Sequence, residues 1–167
     1  MMRSLKTQMD RMIMSFCILL LIFMVFVGLW QVFTRYVLAS PSPFSEELLR
    51  FSLIWISLLG GAYAFGQKKH IAILFIVRKF PHAIKKAVKM VVECFIILFS
   101  VVIMIGGGIR AVLLTIEQTS AALGLSMSVV YFALPLAGLV ITGYSLIHLI
   151  EIYHETDEEK EHEILID

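Results

Sequence analysis

The chain has 167 residues, 59% of them hydrophobic and 16% charged, against about 45–50% and about 25% in soluble domains. That balance excludes an ordinary soluble enzyme, and a net charge of +1 gives no reason to expect a nucleic-acid partner. The length suits one domain, residues 1–167, and is too short for a many-helix channel or carrier working alone.

Residues 1–11 set Arg3, Lys6 and Arg11 against one acid, Asp10, a short basic flank. Met12 to Thr34 holds no charged residue. It is long enough to cross about 30 Å of hydrocarbon at about 1.5 Å per residue. Trp30 and Tyr36 stand near its far end, where interface aromatics belong. The basic-then-apolar order resembles a signal peptide. However, the apolar run continues to Val37, past the about 7–15 residues of such a core, and no small-x-small site follows. A retained first helix over about 12–38 is therefore expected.

A turn, Ala39-Ser40-Pro41-Ser42-Pro43, stops that run. Pro43 suits the first position of a second helix, over about 44–66, and Ser42 suits its cap. Glu46 and Glu47 fall in the first turn, where the helix dipole favours negative charge. Arg50 lies four and three residues beyond them, so one face can hold an acid–base cluster, with Arg35 across the turn as a further partner. Gly60 and Ala64 make a small-x-x-x-small face for close helix packing.

The next segment holds Lys68, Lys69, Arg78, Lys79, Lys85, Lys86 and Lys89 and no acid. Ile71, Leu74, Phe75 and Arg78 recur at helical spacing until Pro81 interrupts, which reads as an amphipathic element on an anionic membrane face. A third span over about 88–116 contains Gly106-Gly107-Gly108, which weaken a helix and invite close packing or a bend. Arg110 is expected to snorkel to the outer interface, with pairing to an acid of a neighbouring subunit as the sharper alternative. A fourth span over about 128–150 carries Pro135, which is expected to kink it. Residues 151–167 form an acidic, solvated tail.

The Lys and Arg clusters belong on the cytoplasmic side. Four spans then put both termini there and the turn at Ser40 and the loop at Ser120 outside. The fold class is all-α integral membrane: four transmembrane helices, with a cytoplasmic-side amphipathic segment between helices 2 and 3.

No Ser/His/Asp order, phosphate loop or zincin motif occurs. Cys17 and Cys94 have no partner at metal or redox spacing, so they read as small apolar side chains. His148, Glu151, His154 and His162 are irregularly spaced and read as solvated side chains of a flexible tail. No span carries an ionisable residue at its centre, where an ion relay would be expected. A quinone-linked disulfide oxidase would need outward-facing cysteine pairs, and a small multidrug exporter a Glu in the middle of helix one; neither is present. The alternative from another class is a haem- or quinone-linked membrane anchor of an oxidoreductase, with His70 and His148 facing each other between helices.

One stretch carries a family resemblance. Arg35, Pro41, Pro43, Phe44, the run Glu46-Glu47-Leu48-Leu49-Arg50, Trp55, Leu59-Gly60 and His70-Ile71 follow the order of the small membrane subunit of the TRAP (tripartite ATP-independent periplasmic) transporters. A second patch, Ala122-Leu123-Gly124-Leu125 and Val130 to Pro135, resembles that family's entry to the fourth helix. Leu74 and Ser126 depart from the pattern, where an Asp and a Pro are common. The resemblance implies a non-enzymatic subunit of the bacterial inner membrane, beside a large elevator-type subunit and a periplasmic substrate-binding protein. It implies sodium-coupled uptake of an organic acid such as a C4-dicarboxylate or sialic acid, with sodium handled by the large subunit. This chain itself would bind no substrate, metal or cofactor. Arg35, Glu46, Glu47, Arg50, Trp55, Gly60 and His70 then become interface or structural residues, and the seven basic residues from Lys68 to Lys89 contact phospholipid.

Overall fold

The structure, a computed structural model, describes the backbone of residues 2–67 and 82–164 and the side chains of 6–67 and 86–152. The amphipathic element with Lys68, Lys69, His70, Arg78 and Lys79 lies outside the described residues, as does the side chain of Lys85.

Among the described residues the fold is helical, and four stretches are long and apolar enough to cross a membrane: Lys6–Tyr36, Pro43–Gly66, Lys86–Leu114 and Met127–Ile152. Helices are the expected answer, because a backbone in hydrocarbon must satisfy its own N–H and C=O groups. Helix α1 runs over Met2–Tyr36 and α2 over Pro43–Gly66. Between them the chain reverses through Ala39, whose φ of 47° is left-handed, with Ser40 N–H donating to Thr34 O at 3.1 Å. Pro43 does open α2, but Ser42 makes no side-chain cap. Instead Ser45 Oγ donates back to Ser42 O at 2.9 Å.

The third span is α3 (His82–Phe99), a π-helical segment (Ser100–Gly107) and α4 (Gly108–Leu114). The glycine run therefore ends a π stretch, where the wider turn alters which side chains face inward. The fourth span divides into α5 (Met127–Tyr131) and α6 (Ala133–Ile164). The break at Phe132 has a local cause: Pro135 lacks an N–H and its ring crowds the carbonyl of Tyr131, four residues back. Helix α6 then continues through the acidic tail to Ile164, so that part is helical rather than an irregular tail. Glu and Lys are strong helix formers, which favours the extension.

Helix α6 is the hub. It packs on α2, on α3 and on the π segment, while α1 lies along α2. The core contains Leu59, Ala62, Met104 and Ala137. Its small residues bring backbones close, the usual device where hydrocarbon surroundings provide no hydrophobic drive between helices. A Cβ on Gly66 would meet the Tyr144 ring at 2.5 Å, and one on Gly138 would meet Met104 Cβ at 2.8 Å. Large apolar side chains such as Leu19, Phe26 and Phe95 point outward instead. The chain is a multi-pass membrane protein.

Candidate functional site

The bundle has a turn end, which holds the α1–α2 turn and the α4–α5 loop, and a terminal end, which holds the first turns of α1. Polar side chains tie helices together at both.

At the turn end, Glu46 and Glu47 diverge, because consecutive residues on a helix point about 100° apart. Glu46 faces out and pairs with Arg50 at 3.0 Å, the two side chains being 63% and 64% exposed. Glu47 faces the α4–α5 loop. Its Oε2 accepts from the backbone N–H of Ala122 at 2.9 Å and of Leu123 at 2.8 Å. Gly124, at φ 66°, turns the loop, and its N–H donates to Ser120 O at 3.1 Å. Successive N–H groups in such a turn form an anion-holding concavity, and here the protein's own carboxylate fills it. Ser126 then caps α5: its Oγ accepts from Ser128 N–H at 3.3 Å and donates to Ile116 O at 2.8 Å.

The expected acid–base cluster is thus divided: Glu46 has Arg50, and Glu47 serves the loop. Arg35 is exposed in the last turn of α1 and, among the described residues, makes no ion pair with them. Trp55 packs against Phe16 across the α1–α2 seam, ring centroids 6.1 Å apart. Gly60 points away from the bundle, where an added Cβ meets nothing within 4 Å. His70 lies outside the described residues. Glu47→Ala is expected to lower the melting temperature of the purified chain and to expose the α4–α5 loop to protease, whereas Glu46→Ala changes neither. Thermal unfolding in detergent and limited proteolysis check this.

At the terminal end, Tyr144 is fully buried and its hydroxyl donates to Asp10 Oδ1, joining α6 to α1. His148, 3% exposed, lies with Nδ1 3.2 Å from Glu93 Oε1, joining α6 to α3. Its ring also meets Phe65 of α2 at 5.7 Å. Closer to mid-membrane, Ser100 Oγ donates to Gly138 O at 2.7 Å, and Thr142 Oγ1 donates to Ser100 Oγ at 3.1 Å. His148 is therefore a buried interhelical group and not a solvated one. The signal was its spacing: Ala137, Ile141, Tyr144 and His148 fall on one helical stripe, the packed one. Glu93, the acid inside the third apolar run, is the matching partner that spacing alone does not reveal. Among the described residues, no three His, Cys, Asp or Glu side chains come together as a metal site would require.

Comparison with known proteins places this architecture. The chain is 27% identical over 150 residues to a TRAP transporter small permease protein of Haemophilus influenzae, covering 90% of this chain and 92% of that one. It is 30% identical over 114 residues to the sialic acid TRAP transporter small permease protein SiaQ of Vibrio cholerae, covering 65% and 62%. These relatives are transporter subunits and not enzymes, and the anchor of an oxidoreductase is not favoured. The family model described as tripartite ATP-independent periplasmic transporters, DctQ component, matches residues 24–154, so the chain belongs to that family of small permease subunits.

Proposed function

We propose that this chain is the stationary brace of a TRAP transporter in the bacterial inner membrane. It works beside a large elevator-type subunit that moves an organic acid, a C4-dicarboxylate or sialic acid, with sodium. A periplasmic binding protein delivers the substrate. The chain holds no substrate, metal or cofactor of its own. One observation carries this reading: the buried polar groups join helix to helix, as Asp10 does with Tyr144 and Glu93 with His148. That builds a rigid body, which a sliding carrier needs as its fixed counterpart.

Both termini face the cytoplasm in this reading, and the turn end faces the periplasm, following the Lys and Arg clusters. Single cysteines at Ser42 and Lys85, in a background without Cys17 and Cys94, check this. An impermeant thiol reagent on whole cells should label the first only. The seven basic residues from Lys68 to Lys89 lie on anionic headgroups, each contributing about 1 kcal/mol of attraction that keeps the brace level.

The decisive experiment is uptake in reconstituted vesicles. Leaving out this chain should abolish uptake, and no substitution in it should change which substrate is chosen. Full-rate transport by the large subunit and binding protein alone would end the brace reading.

A further inference from the structure

The third and fourth spans meet closely toward the turn end. A Cβ on Gly108 would lie 2.7 Å from Pro135 Cδ, so α4 presses directly on the break in the fourth span. Around that contact larger side chains stand apart. They leave a groove of about 250 Å³ between the third span and the start of α6. Ile105, Ile109 and Leu113 line one side, Phe132, Pro135 and Leu139 the other, and every lining side chain is apolar. The groove opens outward, with Ile109, Leu113, Phe132 and Leu139 between 49% and 63% exposed.

Arg110 stands at the edge of this groove. It follows Ile109 directly and precedes Leu113 by three residues, and positions three apart are neighbours on a helix surface. It is exposed inside the span Lys86–Leu114, about one turn from its end. The nearest acid along the chain, Glu117, lies beyond the end of α4. Among the described residues the Arg110 side chain makes no ion pair or hydrogen bond. A cation inside a span is costly unless it finds a partner or reaches the interface. The arginine stem is long enough to carry the guanidinium to headgroup level while covering apolar surface.

We propose that this corner of the bundle holds one glycerophospholipid of the surrounding bilayer. An acyl chain lies in the groove, and the headgroup phosphate accepts hydrogen bonds from the Arg110 guanidinium. The groove offers only apolar contact, which a flexible chain can follow between branched and aromatic side chains. A packed helix is a poorer match, because close helix approach in a membrane uses small residues and none lines the groove. The unpaired guanidinium presents forked donors that match phosphate oxygens two at a time. The phosphodiester supplies the opposite charge that no acid of this chain provides. This differs from the diffuse headgroup attraction proposed for Lys68 to Lys89, because a built groove and a single cation hold one lipid.

Photolabelling tests this on the full chain, reconstituted in phosphatidylglycerol vesicles doped with phosphatidylglycerol that carries a photoreactive acyl chain. Adducts should concentrate on residues 105–113 and 132–139. Arg110→Gln should lower labelling there roughly tenfold, the loss of one charge-assisted contact. Arg35→Gln, at the exposed arginine that ends α1, should not. A photoreactive diacylglycerol with the same acyl chains and no phosphate should label the groove weakly, and equally in wild type and Arg110→Gln. Adducts spread evenly over the exposed side chains of α1 and α3 would show ordinary boundary lipid and overturn the proposal. So would groove labelling that survives Arg110→Gln, that falls as much with Arg35→Gln, or that is as strong with diacylglycerol. Loss of groove adducts in the complex co-purified with the large subunit would mean that a protein segment, and not a lipid, occupies the groove.

Discussion

His148→Ala lowers the stability of the isolated chain by about 1–3 kcal/mol, the expected cost of leaving a buried polar group without its hydrogen-bond partner. The Glu93 side chain is 14% exposed and has His148 Nδ1 at 3.2 Å from its Oε1. Without the imidazole, its carboxyl group stays in the bundle with little water and without this partner. Glu93→Leu with His148→Leu should recover most of the loss, since apolar replacements of similar volume at buried pairs are often neutral or stabilising. A double-mutant cycle followed by thermal unfolding in detergent measures the coupling. Strict additivity of the single effects would show that the two side chains do not act as a pair.

Gly138→Leu lowers stability by about 1–3 kcal/mol through overpacking. Its Cβ would lie 2.8 Å from Met104 Cβ, 2.9 Å from Ile105 Cγ1 and 3.3 Å from Ile105 N. Two of these atoms belong to or adjoin the backbone and cannot swing aside as a side-chain tip can. Relief requires α6 to move off the π segment, which also stretches the Ser100 Oγ to Gly138 O hydrogen bond. Gly61→Leu is the control, since the same side chain enters open space and the isolated chain keeps its stability. Equal losses at the two positions would show that the close approach at Gly138 does not set its cost, since leucine is the better helix former at both.

Chain order and membrane character were legible because hydrocarbon leaves a spanning backbone few choices. Apolar runs of sufficient length must become helices, so the four spans could be read from hydropathy, and Pro135 already marked the trouble in the fourth. The motif from Arg35 to Ile71 and the patch at Ala122 to Pro135 carried the family as well. Sequence alone could not say that these two patches touch. Glu46 and Glu47 lie four and three residues from Arg50 and are equivalent partners on a bare helix. Their division follows from how α2 sits against α6, which turns Glu47 toward amide groups 75 and 76 residues away. The same holds for the glycines: Gly60 and Gly138 look alike in sequence, yet one faces outward and the other α3's π-helical continuation. Hydropathy reports how much of a helix avoids water. In a membrane protein both lipid and neighbouring helices satisfy that demand, so which side turns inward is decided by the fit of small residues and by the few polar groups that must find each other.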